Sequence, residues 1–214
     1  PRKNIKILCG KTLINYTIEA ALKVKTLTEI MVSTEDDEIA EIATRAGANV
    51  PFLRPNDLAQ DTSSSLDAVL HVLEDFEKLN RYFDAVCLLQ PTSPLRSAEL
   101  IDSCIQQFIA TGADSLISVR SVPHELNPHW IFEPNENSFL RLATGEKQII
   151  TRRQDLPPAY YRDGSVYLTK TSVLKDRGSL YGDKIAYFVT DHLPYVNLDT
   201  MKDWKLAEKI LCAE

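Results

Sequence analysis

The chain has 214 residues, 44% of them hydrophobic and 25% charged, and a formal net charge of −6. That is enough for one sizeable domain with a buried core, and the acidic balance argues against a nucleic-acid binder. An anionic small molecule gripped by a few converging cations remains compatible with it.

The elements follow in chain order. Apolar positions recur at helical spacing in "LINYTIEAALKV" over residues 13–24. "EIMVS", 29–33, is a short apolar run with the look of a strand. "TEDDEIAEIATRAGA", 34–48, places Thr34 and Asp37 at capping-box spacing and closes on Gly47. "NVPFLR", 49–54, is strand-like. "SSSLDAVLHVLEDFEKL", 63–79, is a helix opened by Ser64 and Asp67 in another capping box. "DAVCLLQ", 84–90, is a buried strand, "SAELIDSCIQQFIATG", 97–112, a helix ended by glycine, and "DSLISVR", 114–120, a strand. Strand and helix thus alternate through residue 120, the pattern of a parallel sheet with helices on both faces. Residues 121–160 are proline-rich and read as an insertion of short strands or hairpins. The alternation resumes with a strand at 164–169, a short helix near 170–176, a strand at 184–189, and "YVNLDT" leading into a last helix capped by Thr200 and Asp203.

Sheets of this kind bind ligands outside the carboxyl ends of their strands. Gln90 stands at such an end, and Pro91 and Pro94 stiffen the turn behind it; a plain strand-to-helix turn with Ser97 as helix cap explains the same residues. Arg54 follows another strand, where a guanidinium could meet a phosphate or base edge, or simply face solvent. Ser64 reads as a cap, although a hydroxyl-rich helix N-terminus also suits an anion or ribose. Arg2 and Lys3 are clustered cations at the start. Asp199 ends "YVNLD", a position suited to Mg²⁺ or to favouring the following helix dipole. Arg152, Arg153 and Arg162 surround Tyr160 and Tyr161, a pattern for a carboxylate ligand, an interface or a solvated charge cluster. The four histidines lack ligand spacing. Cys9, Cys87, Cys104 and Cys212 show no CxxC or zinc-like pattern, which suggests a reducing setting. No apolar stretch approaches membrane-spanning length and no secretory signal is visible.

The ordered set "PRKN", "FLRP", "DTSSSLDAVLH", "LLQPTSPLR", "RRQDLP", "YRDGSVYL" and "LDT" resembles the N-acylneuraminate cytidylyltransferases across essentially the whole chain. The resemblance implies a single α/β domain over 1–214, a three-layer sandwich on a mostly parallel, Rossmann-like sheet of the nucleotide-diphospho-sugar transferase type, with 121–160 as a dimerisation insertion. It implies a cytoplasmic homodimer that uses Mg²⁺ to join CTP to a nine-carbon keto-sugar acid, N-acylneuraminate or legionaminate, with no nucleic-acid or membrane partner. The sugar's anomeric hydroxyl would attack the α-phosphorus and release pyrophosphate. By the same resemblance Lys3 and Asn4 end the triphosphate-binding segment, Arg54, Ser64 and Ser65 hold the cytidine, and Gln90, Arg153, Gln154, Asp163 and Tyr167 meet the sugar acid. Asp199 would ligate metal, with Asn197 where a first metal aspartate is expected; Lys3, Gln90 and Asp199 are the catalytic set. Asp163 stands where the family has Asn. The family opens with a central strand and a glycine-rich loop ahead of "P-x-K-N", so these are expected to be missing from the given sequence. Pseudaminate as the acceptor, or a non-catalytic binding homologue, are the alternatives, the second because of that loop and Asn197.

Overall fold

A computed structural model of the chain describes residues 2–60 and 63–212. Pro1 of "PRKN" and Asp61 and Thr62 of "DTSSS" lie outside the described residues. The chain opens with a hairpin of β1 (Ile7–Leu8) and β2 (Lys11–Thr12). Its two-residue turn, Cys9-Gly10, has φ of 45° and 79°, the left-handed geometry that joins antiparallel strands tightly. Helix α1 (Leu13–Leu22) follows and buries Leu13, Ile14, Ile18 and Ala20 on several sides. It therefore touches three separate apolar clusters, which explains its nearly all-round hydrophobicity.

Helix α2 (Asp37–Arg45) is capped by Asp36, whose side chain accepts from the amides of Glu38 and Ile39. This corrects the expected Thr34–Asp37 box. The Thr34 hydroxyl instead accepts from the Asp36 amide at 3.2 Å, forming the turn before the helix rather than its cap. In α3 (Ser65–Lys78) the Ser64–Asp67 box is present in both directions. Strand β3 (Ala85–Leu88) leads to α4 (Ala98–Thr111), with Ser97 accepting from Leu100 and Gly112 closing the helix in the left-handed conformation. Then come β4 (Ser115–Ser121), the short strands β5 (Phe132–Pro134) and β6 (Leu140–Leu142), β7 (Tyr160–Lys170), α5 (Thr171–Arg177), β8 (Ile185–Val189) and α6 (Met201–Leu211). Thr200 and Asp203 form the box that opens α6.

The main sheet runs in the order β3-β7-β4-β8. Within it, among the described residues, only β4–β8 is a parallel pair; β7 lies antiparallel to both β3 and β4. The mostly parallel sheet expected from strand–helix alternation is thus a mixed one. The cause is the segment 121–160, which brings the chain back so that β7 enters reversed between β3 and β4. Within the insertion β5 and β6 pair antiparallel. The strands expected at 29–33 and 49–54 reduce to one parallel bridge, Met31 to Asn49, and the segment 195–200 forms none. A run with β propensity becomes a strand only when a ladder partner lies beside it, and residues 30–32 face a cleft on their other side.

The core follows the pleat of β3. Ala85, Cys87 and Leu89 pack on the cluster of α4 (Leu100, Ile101, Cys104), whereas Val86 and Leu88 pack on Val69, Leu73 and Leu174 from α3 and α5. A further cluster joins Leu8 and Leu13 to Val196, Leu198 and Trp204, so the first hairpin is seated on α6. Cys9 and Cys212 are disulfide-bonded, with Cα atoms 5.7 Å apart. This corrects the expectation of unpaired thiols: the partners are 203 residues apart, and no local spacing reveals such a pair.

Candidate active site

A cleft of about 1250 Å³ opens between the segments 26–35 and 81–92. Asn4, Arg54, Ser65, Gln90, Asn197 and Asp199 all line it. Its deeper walls are apolar, with Val32, Val72, Phe76 and Phe108 among them.

Three chain segments are tied together at its mouth. The Leu198 amide donates to the Thr92 carbonyl at 2.9 Å, and Lys3 Nζ donates to the Leu198 carbonyl at 2.6 Å. The turn after β3, the segment before α6 and the start of the chain therefore meet at one peptide. Lys3 Nζ also lies 3.8 Å from Asp199 Oδ1, and Asn197 Nδ2 donates to Asp199 Oδ2 at 2.6 Å. Asp199 and Asn197 thus stand side by side on the cleft, and the capping box of α6 anchors the loop behind them.

Arg54 is held by Glu35, with Nη2 donating to Oε2 at 2.6 Å. Burial works against the charge on Glu35, but the Arg54 guanidinium holds its carboxyl below the usual range. Arg54 Nε is buried and has no protein partner among the described residues, so one donor remains to be satisfied. Glu35 was not legible as a site residue, because its role depends on a contact 19 residues away.

Gln90 is half-buried, and its Oε1 lies 3.9 Å from where a Cβ on Gly164 would sit. Gly164 has φ of +80°, a conformation that costs glycine little and that brings the strand to ordinary contact distance from the Gln90 amide oxygen.

The other expected site residues lie elsewhere. Ser64 does not line the cleft; its hydroxyl is engaged with Asp67 as the cap of α3. Arg153 and Gln154 sit on an exposed turn of the insertion, Arg153–Asp155, away from the cleft. Tyr167 is buried within β7, and burial raises its phenol pKa although Arg162 opposes the shift. Asp163 is only 2% exposed, and its oxygens accept from Ser118 Oγ at 2.5 Å, Thr190 Oγ1 at 2.6 Å and the Ser165 amide at 2.8 Å. It lines a separate cavity of about 180 Å³ with Arg96 and Arg120. These three hydrogen bonds make the carboxylate a junction of β4, β7 and the end of β8. Arg96, which the sequence left without a role, is buried beside it.

The sequence profile described as Cytidylyltransferase matches residues 1–206. The chain belongs to the cytidylyltransferase family. It is accordingly a nucleotidyltransferase enzyme. Among its relatives, the CMP-N,N'-diacetyllegionaminic acid synthase of Legionella pneumophila is 34% identical, over 99% of this chain and 90% of that protein. The pseudaminic acid cytidylyltransferase of Campylobacter jejuni serotype O:23/36 is 32% identical, over 97% of this chain and 88% of that protein. Among solved structures, the CMP:2-keto-3-deoxy-manno-octonic acid synthetase complexed with CTP superposes with a TM-score of 0.73 at 15% identity, covering 99% of this chain and 92% of that one. That likeness establishes a Rossmann-like nucleotidyltransferase fold with a mixed central sheet. No helix among the described residues is long and apolar enough to cross a membrane.

Proposed function

We propose that this cytidylyltransferase joins CTP to a nonulosonic acid of the legionaminate or N-acylneuraminate kind, giving the CMP-sugar and pyrophosphate. The observation that carries the reading is the convergence of Asn4, Arg54, Ser65, Gln90 and Asp199 on one cleft. It is supported by relatives that are named for CMP-sugar acid synthesis and match nearly the full chain.

In this reading Arg54 and Ser65 hold the cytidine, with Ser64 fixing the helix end beneath it. Asn4 and Lys3 bind the triphosphate, and the Gln90 amide orients the sugar acid. The anomeric oxygen attacks the α-phosphorus, the bond from that phosphorus to the bridging oxygen breaks, pyrophosphate leaves, and the hydroxyl proton passes to water. Little covalent chemistry falls to the protein, which acts by positioning and by placing charge. Lys3 supplies a cation where negative charge gathers.

Mg²⁺ is the metal whose habits suit this donor set, because it binds through one or two protein oxygens while substrate phosphates and water fill the rest. Asp199 offers a carboxylate and Asn197 an amide oxygen at the cleft mouth; among the described residues no cluster of three or more His, Cys, Asp or Glu exists to hold a metal alone. When bound there, Mg²⁺ would neutralise phosphate charge.

The layering and assembly belong to the same reading. The opposite-facing residues of β3 support three layers, helices on both sides of the sheet. The insertion exposes Phe139 (72%) and Leu140 (69%), apolar surface suited to a second copy of the chain. In a homodimer Arg153 and Gln154 would reach the partner's cleft rather than their own. Function in the cytoplasm fits the need for CTP.

The test is pyrophosphate release with CTP, Mg²⁺ and a panel of nonulosonic acids. Release with at least one of these sugars is expected, and none with a 3-deoxy-octonic acid. Silence across the whole panel would contradict the reading.

A further inference from the structure

We propose that Arg96 is a positioning residue, fixing the Gln90 turn against Gly164 of β7 so that the Gln90 amide meets the acceptor at a set distance. The inference rests on the acceptor-site reading of Gln90 given above.

Arg96 is 5% exposed. Its Nη1 donates to the Ser165 carbonyl at 2.6 Å, and its Nη2 donates to Thr17 Oγ1 at 2.6 Å and to the Gln90 carbonyl at 3.0 Å. One guanidinium therefore joins β7, α1 and the turn that carries Gln90. Ser93, from the same turn, donates to the Gly164 carbonyl at 3.3 Å. Two side chains of the 90–96 turn thus grip the consecutive carbonyls of Gly164 and Ser165 on β7, and the Gln90 amide oxygen stands beside Gly164. The Ser165 peptide is held from both ends, its amide by Asp163 and its carbonyl by Arg96.

The energetics argue against a merely space-filling role. A buried cation without a carboxylate at bonding distance is costly, and an apolar residue of similar volume would avoid that cost. Burial pushes the Arg96 pKa down to about 10, so the guanidinium stays charged at neutral pH and all its donors remain in place. Its planar fork can serve three acceptors in different directions, which an ammonium at that position does not reproduce.

The experiment compares Arg96→Lys, Gln90→Ala and the double variant in the full-length enzyme, with kcat and KM measured separately for acceptor and CTP. Arg96→Lys should lower kcat/KM for the acceptor by about 10- to 100-fold while leaving KM for CTP within about twofold, since the displaced group is the acceptor's. In the Gln90→Ala background the same substitution should cost under about threefold, because residues acting through one another are non-additive. Effects that multiply would overturn the positioning role, as would equal losses for both substrates accompanied by a falling Tm. An unaffected Gln90→Ala enzyme would overturn the acceptor-site reading itself, and the positioning role with it. If Arg96→Lys does not fold, Thr17→Val removes one acceptor at the periphery; a smaller loss in kcat/KM confined to the acceptor supports the proposal, and an unchanged acceptor kcat/KM refutes it.

Discussion

The Gln90 amide is set by its surroundings: a carbonyl held by Arg96, a glycine opposite, and a cleft in front. Truncating it should leave these supports intact. Gln90→Ala is therefore expected to lower kcat/KM for the acceptor by about 10²-fold, the usual worth of one positioned polar group, with Tm unchanged within about 2 °C. Steady-state kinetics beside a thermal melt checks both halves. Asp199 makes a second case. It shares its oxygens with Lys3 and Asn197 at the cleft mouth, and Asp199→Ala should raise the Mg²⁺ concentration for half-maximal rate by roughly tenfold or more. A Mg²⁺ titration of the variant reads this directly. The place of Gln90 and Asp199 on the cleft was legible because each ends an apolar run, where ligand sites gather. The structural engagement of Asp163 was hidden because its partners, Ser118 and Thr190, lie 45 and 27 residues away; a carboxylate looks free in a sequence until the fold supplies its hydroxyls.

Helix α6 links local folding to the site, since its cap lies directly after Asp199. The Asp203 carboxylate accepts from the Thr200 hydroxyl at 2.8 Å and from the amides of Thr200 and Asp199 at 2.7 and 3.2 Å. The Thr200 hydroxyl and amide hold the Asp203 carboxyl below its usual range. A folded-state pKa below the unfolded one gives stability that is present above the unfolded value, near 4, and is lost as pH falls through the folded value. Thr200→Val should therefore lower Tm by about 2 to 4 °C at neutral pH, and the difference from the parent should narrow as the pH drops below about 4. Melting curves across pH 2.5 to 7 test this. At this scale the helices were readable, because caps and 3.6-residue periodicity are local properties. The strands at 29–33 and 49–54 were not, because a ladder is a property of two segments. The antiparallel entry of β7 was hidden for the same reason, being decided by the long return through the insertion.

The two ends of the described chain meet where the hairpin of β1 and β2 rests on α6, and the Cys9–Cys212 bond closes a loop of 203 residues. A cross-link of that span restricts the unfolded chain by roughly 5 kcal/mol in the chain-entropy account. Reduction should thus lower Tm by about 10 °C or more and expose two thiols, while burial keeps Cys104 silent and pushes the Cys87 thiol up to about 12. Thiol titration before and after reduction, run alongside the melts, gives the count. The whole molecule is thus a mixed sheet whose strand ends, chain start and last helix converge on one cleft, and the central claim is that this cleft joins a cytidine nucleotide to a sugar acid. Mass spectrometry of the enzyme with CTP, Mg²⁺ and N,N'-diacetyllegionaminic acid tests that most directly. A CMP-sugar formed in step with pyrophosphate, and formed far more slowly by Gln90→Ala, is the predicted result; CTP consumed or bound with no CMP-sugar from any nonulosonic acid would contradict it.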